Sequence, residues 1–102
     1  MDFQVFLSDD ALSDLERIVA YIAPHNAAAA GRFGLQLLDA SLSLRTFPER
    51  GRMVPEFHRP ELREFMFRSY RIIYRMNNAD HSLEIVRFWH GARGFPHIPR
   101  GG

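Results

Sequence analysis

The second half of this chain contains three β-type segments that follow one another at hairpin spacing. Their residues are mainly aromatic, β-branched or long apolar ones, interrupted by arginine. The segments are 62–67, 70–76 and 83–89. Only Arg68 and Ser69 separate the first two, and a turn through residues 77–80 precedes the third. Because a parallel crossover needs roughly a dozen residues or more, neighbouring segments must pair antiparallel. The spacing therefore predicts an antiparallel sheet.

A strand and a helix are expected to precede this sheet. Phe3, Val5 and Leu7 recur at every second position, which is typical of a short strand. Ser8 is a good helix N-cap, and two aspartates follow it in the first turn, where the helix dipole favours negative charge. Apolar residues then recur at helical spacing at Leu12, Leu15, Val19 and Ile22. We expect a helix over residues 9–23, which a proline then ends.

A second helix is predicted from the cap at Asn26 to Pro48. One apolar stripe follows steps of three and four residues through Phe33, Leu37, Ala40, Leu44 and Phe47. A second set lies outside that stripe and consists of Leu35, Leu38 and Leu42. These three leucines either pack on the sheet of the same chain, which we favour, or receive a helix from a partner.

The remaining segments complete one predicted α+β domain over residues 1–97. Residues 49–60 contain two prolines and a glycine and are expected to be an irregular connection. The expected fold is an N-terminal strand, an α-helical hairpin and three antiparallel strands, which together make a four-stranded antiparallel sheet. Residues 98–102, with their terminal glycines, are predicted to be a flexible tail.

The composition excludes several classes of protein and site. The chain has no cysteine, which excludes disulfides and thiolate chemistry, and no apolar run approaches the ~20 residues of a membrane span. With no export signal at its beginning, we expect a cytoplasmic protein. The five histidines do not fall at metal-ligand spacing, so we predict no metal and no cofactor.

The basic residues are all arginine and lie mostly in the second half of the chain. Residues 1–49 carry three arginines against seven acidic residues, whereas residues 50–102 carry ten against five. The absence of lysine excludes a lysine general base, a Schiff base and the lysine of a phosphate-binding loop. A basic half on a nearly neutral protein predicts local contact with an acidic or phosphate-bearing partner.

Several of these arginines are candidates for binding a target. Arg71 and Arg75 are four positions apart on one strand and therefore share a face of the sheet, with Ile73 between them on the same face. The set of target-binding candidates is Arg71, Arg75, Arg87 and Arg93. The alternative is that Arg71 and Arg75 are solvated or paired with Glu64 and Glu84.

The order of the motifs resembles that of a known toxin superfamily. The motifs are a helical hairpin, Pro-Glu-Arg-Gly-Arg-Met-Val-Pro-Glu from Pro48 to Glu56, Ser-Tyr-Arg-Ile-Ile-Tyr-Arg from Ser69 to Arg75, and His-Gly-Ala-Arg from His90 to Arg93. This order is similar to that of the RelE/ParE toxins of type II toxin-antitoxin systems, over nearly the whole chain. The resemblance implies a toxin that a cognate antitoxin neutralises by wrapping along its helices and sheet. Candidate antitoxin-binding residues are Leu35, Leu38, Leu42 and Trp89.

The resemblance leaves the target open between two branches. RelE-like members cut mRNA in the ribosome, and the residues that match such a site are Arg63, Arg71, His90 and Arg93. Arg63 is a poor general base because it stays protonated, and no tyrosine follows Arg93 where those nucleases carry one. We therefore favour the ParE-like branch, whose members poison DNA gyrase without catalysis and meet DNA only through the antitoxin. A degenerate toxin that only binds its antitoxin is a third hypothesis.

Overall fold

Two helices and five strands make up this protein, in a computed structural model that describes residues 2–99. They are β1 (Gln4–Leu7), α1 (Asp9–Ile22), α2 (Ala27–Leu42), β2 (Arg52–Met53), β3 (Leu62–Phe67), β4 (Tyr70–Asn77) and β5 (Ser82–His90). Single turns of 3-10 helix follow α2 at Ser43–Arg45 and β5 at Gly91–Arg93. The predicted α+β class is confirmed.

The strands form one sheet in the order β1-β5-β4-β3-β2. The hairpins β3-β4 and β4-β5 are antiparallel, as their short turns predicted. The expectation of a purely antiparallel, four-stranded sheet is wrong in two respects. β1 pairs parallel with β5. No short turn joins these two strands, so the hairpin rule that predicted antiparallel neighbours does not apply to this pair. The connection expected to be irregular contributes β2, which pairs with Glu64 and Arg63 of β3.

Side-chain caps start both helices where the sequence predicted. Ser8 Oγ accepts the Ala11 N–H at 3.0 Å, and Asn26 Oδ1 accepts the Ala29 N–H at 3.0 Å. The predicted end of α2 at Pro48 is wrong, since the helix stops at Leu42. The Ser43 hydroxyl donates to the Ala40 carbonyl, and such local bonds compete with regular helical ones.

One face of the sheet, here called the helix face, packs against both helices. Its core is formed by buried residues from α1, α2, the 3-10 turn after α2, β4 and β5, and partly buried Phe65 and Phe67 of β3 pack against it. The buried residues are Ala11, Ile18, Leu37, Leu44, Ile72, Tyr74, Leu83, Ile85 and Phe88. Leu37 and Leu44 belong to the predicted first stripe of the second helix. Our favoured interpretation of the other set is wrong for Leu35 and Leu42, which are 63% and 42% exposed.

The opposite face of the sheet, here called the outer face, has its own apolar cluster. It consists of Val54, Leu62, Ile73, Val86 and Trp89, with Phe57 and Ile98 packed against it. Residues 94–99, here called the C-terminal strap, run over this face. The His97 carbonyl accepts a hydrogen bond from Arg87, and the Pro99 carbonyl accepts one from Arg75. Ile98 and Pro99, expected to begin a flexible tail, therefore contact the sheet, and residues 100–102 lie outside the described part of the chain.

An extra residue in β5 sets the direction of its side chains. Ile73 of β4 pairs with Arg87, but the next residue, Tyr74, pairs with Ile85, so Val86 has no partner in the register. Such a bulge places two consecutive side chains on the same side of the strand. It explains why Ile85 and Phe88, three residues apart, both reach the helix face while Arg87 lies against the ring of Trp89.

Helix α1 closes the edge of β5 beyond the end of β1. Because β1 stops at Leu7, opposite Ile85, the later residues of β5 have no strand on that side. Asp14 of α1 accepts the Phe88 N–H at 3.0 Å and two hydrogen bonds from Arg87, each at 2.8 Å. Both side chains of this ion pair are buried. Asp14 thus replaces the missing strand as the partner of the β5 backbone.

Replacing Asp14 with asparagine should destabilise the fold strongly. Asp14→Asn leaves the buried Arg87 without a countercharge, and breaking a buried ion pair in this way costs about 3–5 kcal/mol. We expect a loss of about 3 kcal/mol in urea unfolding followed by Trp89 fluorescence. Asp10→Asn, an exposed substitution in the same helix, should cost less than about 1 kcal/mol. Equal losses for the two variants would contradict this role of Asp14.

Candidate functional site

Arg71, at the centre of the arginine-rich strand, is enclosed by carboxylates. Its Nε donates to Glu64, while Nη1 and Nη2 donate to the two oxygens of Glu56 at 3.0 and 2.7 Å. The Arg71 side chain is 9% exposed and that of Glu64 fully buried. Arg52 of β2 also binds Glu64. The positive charge of Arg71 is therefore met by two carboxylates within the chain.

The ion pair between Arg71 and Glu56 favours the charged forms of both groups. The hydrogen bonds from Arg71 hold the pKa of the Glu56 carboxyl below its usual value, against the opposing effect of burial. The bond to Glu56, followed by that to Glu64, raises the pKa of Arg71 although burial lowers it. Arg71 is thus a permanent cation and cannot act as an acid or a base.

Arg63 and Tyr74 hold the connection before β2 against the sheet. Arg63 donates to the Gly51 carbonyl at 2.9 Å. The Tyr74 hydroxyl donates to the Pro48 carbonyl and accepts the Gly51 N–H. A Cβ at Gly51 would lie 2.4 Å from the Glu64 carbonyl oxygen, so the backbones meet too closely for any other residue. Arg63 is therefore placed to hold the residues just before β2 against the sheet.

The two other strand arginines also have partners inside the chain. Arg87 binds Asp14, and that hydrogen bond raises its pKa despite burial. Arg75 lies 3.5 Å from Glu84 and donates to the Pro99 carbonyl at the end of the C-terminal strap. The alternative that Arg71 and Arg75 pair with Glu64 and Glu84 is confirmed for both residues.

His90 and Arg93 lie together at the end of β5. His90 packs edge-on against Tyr70, with ring centres 5.1 Å apart, and its Nδ1 accepts the Ala92 N–H. The Arg93 guanidinium lies 3.9 Å from the centre of the Trp89 ring, and the Trp89 N–H donates to the Gly94 carbonyl. The four residues named for a nuclease site thus do not form one group. Arg63 binds the Gly51 carbonyl, Arg71 binds Glu56 and Glu64, and His90 and Arg93 lie at this end of β5.

The residues predicted to bind an antitoxin also divide. Leu35 and Leu42 are exposed on α2, and Leu38 is partly exposed between them. Beside α2, a groove of about 470 Å³ is lined by Gln36, Asp39, Ala40, Ser43, Arg50, Phe65, Phe67 and Arg68. Trp89, in contrast, is buried on the outer face beneath Arg93.

Sequence analysis missed two of the carboxylates that neutralise the arginines, Asp14 and Glu56. Asp14 is one of several acidic residues of α1, and its place in the helical repeat indicates a polar helix residue but no particular partner. Glu56 was noted as part of a motif, but nothing in its spacing indicates Arg71 as its partner. Arg17 and Tyr21 of α1, which line a cleft with His90 and Arg93, were also not singled out.

Neither a metal centre nor a membrane-spanning helix is found among residues 2–99. No group of three or more potential metal-ligating side chains lies close enough together there to hold an ion. None of the helices in that range combines the length and the apolar character needed to cross a bilayer.

A comparison with protein families identifies the class of protein to which this chain belongs. The family model for the ParE toxin of the type II toxin-antitoxin system parDE matches residues 5–95. Since that match spans most of the chain, the protein belongs to the ParE toxin family. The predicted superfamily is therefore confirmed.

Two curated relatives and two solved structures are similar to the chain. Toxins RelE1 and RelE2 of Caulobacter vibrioides are 36% and 39% identical over 89% and 88% of this chain and 96% and 97% of their own lengths. A structure of the chromosomal ParDE system from P. aeruginosa superposes with a TM-score of 0.72 at 14% identity, covering 86% of this chain and 95% of the other. The toxin-antitoxin complex RelBE2 from Mycobacterium tuberculosis gives 0.69 at 17% identity, covering 88% and 92%. These two structures support the fold.

Removing the charge of Glu56 should reduce stability only while the carboxyl is ionised. Its pKa in the folded protein lies below the unfolded value of about 4.3, so its contribution exists above that value and is lost as the pH falls through the folded pKa. We expect Glu56→Gln to lower the unfolding free energy by about 1–3 kcal/mol at pH 7. The difference from the wild type should shrink below about pH 4, as urea unfolding at several pH values will measure.

Glu61→Gln is the matched control, because Glu61 lies in the same connection and forms no ion pair within the described residues. It should change stability little at any pH. A Glu56→Gln effect that persisted unchanged at pH 3 would show that the ionised carboxylate is not its cause.

Proposed function

We propose that this chain is a toxin of the ParE-like kind, which stops growth by binding DNA gyrase and carries no catalytic residue. The observation that carries the proposal is the enclosure of Arg71 by Glu56 and Glu64. Metal-free RNA cleavage needs a base, an acid and free cations that stabilise the charge of the phosphorane. A guanidinium already bound by two carboxylates is a poor stabiliser of that charge.

The other residues of the nuclease hypothesis support the same conclusion. Arg63 stays protonated and its Nη1 is bound to the Gly51 carbonyl, so it cannot serve as a general base. Residues 94–102, where RelE-like nucleases carry a tyrosine that can act as an acid, contain none. Of the four, only His90 is not an arginine, and its Nδ1 already accepts the Ala92 N–H. A match to the ParE toxin model over residues 5–95 adds to this support.

The target-binding surface that we propose uses the arginines to different extents. Arg93 is exposed and stacks on Trp89, and Arg75 is partly exposed beside Glu84. Arg71 and Arg87 are buried and ion-paired, so they would contribute mainly by shaping that surface. The contacts with gyrase are therefore proposed to centre on Arg93.

A cognate antitoxin is proposed to neutralise the toxin by covering α2. The two solved structures described above are of toxin-antitoxin systems. Leu35 and Leu42 lie exposed on α2, and the adjoining groove contains the apolar rings of Phe65 and Phe67. Exposed apolar surface of this kind is typical of a protein interface. The complex would bind operator DNA through the antitoxin and regulate its own synthesis in the cytoplasm.

The second candidate function is that of a ribosome-dependent mRNA nuclease. It is favoured by the curated relatives, both of which carry RelE names at 36% and 39% identity. It would rely on His90 and Arg93, which lie in one cleft, and would need Glu56 to release Arg71.

Expression without antitoxin should separate these functions. If gyrase is the target, growth should stop while mRNA 5′ ends remain unchanged within coding sequences, and cells should elongate with induced DNA repair. Purified toxin should then convert supercoiled plasmid to linear DNA in the presence of gyrase. Mapping of 5′ ends shortly after induction, together with the plasmid assay, measures both outcomes.

Either of two results would contradict the gyrase proposal. New 5′ ends clustered inside translated codons would identify the ribosome-dependent nuclease. Normal growth with an abundant, folded protein would identify a degenerate module that only binds its antitoxin. The matched control for the plasmid assay is the same reaction with topoisomerase IV in place of gyrase.

Charged substitutions on α2 should weaken antitoxin binding without unfolding the toxin. Leu35→Glu and Leu42→Glu replace exposed side chains, so stability should change by less than about 1 kcal/mol. Burying a carboxylate in an apolar interface should lower affinity at least about tenfold, as calorimetric titration with the antitoxin would measure. Leu12→Glu, at a leucine of α1 that is 45% exposed, is the matched control. Unchanged affinity for both α2 variants would place the antitoxin elsewhere.

A further inference from the structure

A small cleft opens between α1 and the end of β5, away from the Arg71 cluster. Its walls combine charged and aromatic side chains from α1, β4, β5 and the turn after β5. The lining residues are Asp14, Arg17, Ile18, Tyr21, Tyr70, Phe88, His90 and Arg93. Its volume is about 170 Å³, smaller than the roughly 300–1,000 Å³ of typical small-molecule sites. The space suits one chemical group of a ligand, not an entire cofactor.

The charges in this cleft favour an anion. Asp14 is its acidic residue, but Arg87 binds both carboxylate oxygens and the Phe88 N–H binds one of them. Arg17 and Arg93 have no carboxylate within 4.0 Å among residues 2–99. Two guanidiniums without countercharges therefore line the same small space. Arginine forks match the paired oxygens of carboxylate and phosphate groups.

Packing holds these groups in position before any ligand arrives. The Arg93 guanidinium lies over the Trp89 ring, 3.9 Å from its centre, and the Trp89 N–H donates to the Gly94 carbonyl. Tyr70 and the Ala92 N–H hold the His90 ring. Burial raises the pKa of the Tyr70 hydroxyl, which therefore stays a neutral hydrogen-bond donor at physiological pH. Groups ordered in advance lose less entropy on binding.

We propose that this cleft is an oxyanion-binding site, in which Arg17 and Arg93 together bind one carboxylate or phosphate group presented by a partner molecule. Arg17 extends the site onto α1, beyond the arginines of the sheet. The proposal goes beyond the gyrase hypothesis, because the site would bind its anion whichever macromolecule supplies it. Because the cleft is small, it would hold a single carboxylate or phosphate group of the partner.

Trp89 provides a direct measurement, since it is the only tryptophan of the chain and contacts Arg93. Purified full-length toxin would be titrated with sodium phosphate and, separately, with sodium acetate, with chloride keeping the ionic strength constant. We expect a saturable change in Trp89 fluorescence with at least one of these anions. Saturation by phosphate alone would assign the site to a phosphate group, and saturation by acetate would show that it accepts a carboxylate.

Substitutions in the cleft test the assignment to these residues. Arg17→Gln should weaken the anion at least about tenfold while leaving the environment of Trp89 intact, because Arg17 does not stack on that ring. Arg93→Gln should weaken the anion to a similar extent. Because this substitution itself alters the fluorescence of Trp89, its anion binding would be measured from the NMR signals of the His90 ring. Arg59→Gln removes the same charge near the other end of the sheet and should bind as the wild type does.

Two results would overturn the proposal. One is the absence of a saturable response to either anion beyond that of chloride. The other is an equal affinity for the wild type and Arg17→Gln when circular dichroism shows that both are folded. Since the titration contains only the toxin and a salt, its outcome is independent of whether gyrase or the ribosome is the cellular target.

Discussion

The buried ion pair between Asp14 and Arg87 joins three parts of the molecule at one point. Asp14 connects α1 to the edge of β5 that β1 leaves open, and it accepts the backbone N–H of Phe88 there. Arg87 also donates to the His97 carbonyl and so holds the C-terminal strap over the outer face. Because two buried charges and a backbone amide depend on each other, the helix, the strand and the strap have one mutually consistent arrangement.

Arginine serves two different purposes in this toxin. Arg71 and Arg87 are enclosed by carboxylates and stabilise the connection of loops and helices to the sheet. Arg17 and Arg93 have no such partners among the described residues and remain able to bind an anion. A guanidinium that is already neutralised contributes little to catalysis or to binding a target. The distribution of carboxylates, more than the number of arginines, therefore separates the structural cations from those proposed to function.

Local patterns were sufficient for most of the fold but not for the whole sheet. Two-residue and short turns determine antiparallel hairpins, and Ser8 and Asn26 start the helices by hydrogen bonds within one turn. The parallel pairing of β1 with β5 joins residues nearly eighty positions apart, so no local pattern indicates it. The same holds for β2, whose two residues form a strand only because Glu64 and Arg63 lie beside them.

For the candidate site, the sequence by itself determined the toxin superfamily and the presence of two arginines on one face of a strand, because motif order and strand alternation are properties of the chain. Only the tertiary structure decided which arginines are free. Arg71 meets Glu56 across 15 positions, and Arg87 meets Asp14 across 73. Such pairs form when folding brings distant residues together. Arg17 likewise joins Arg93 only where α1 crosses the end of β5.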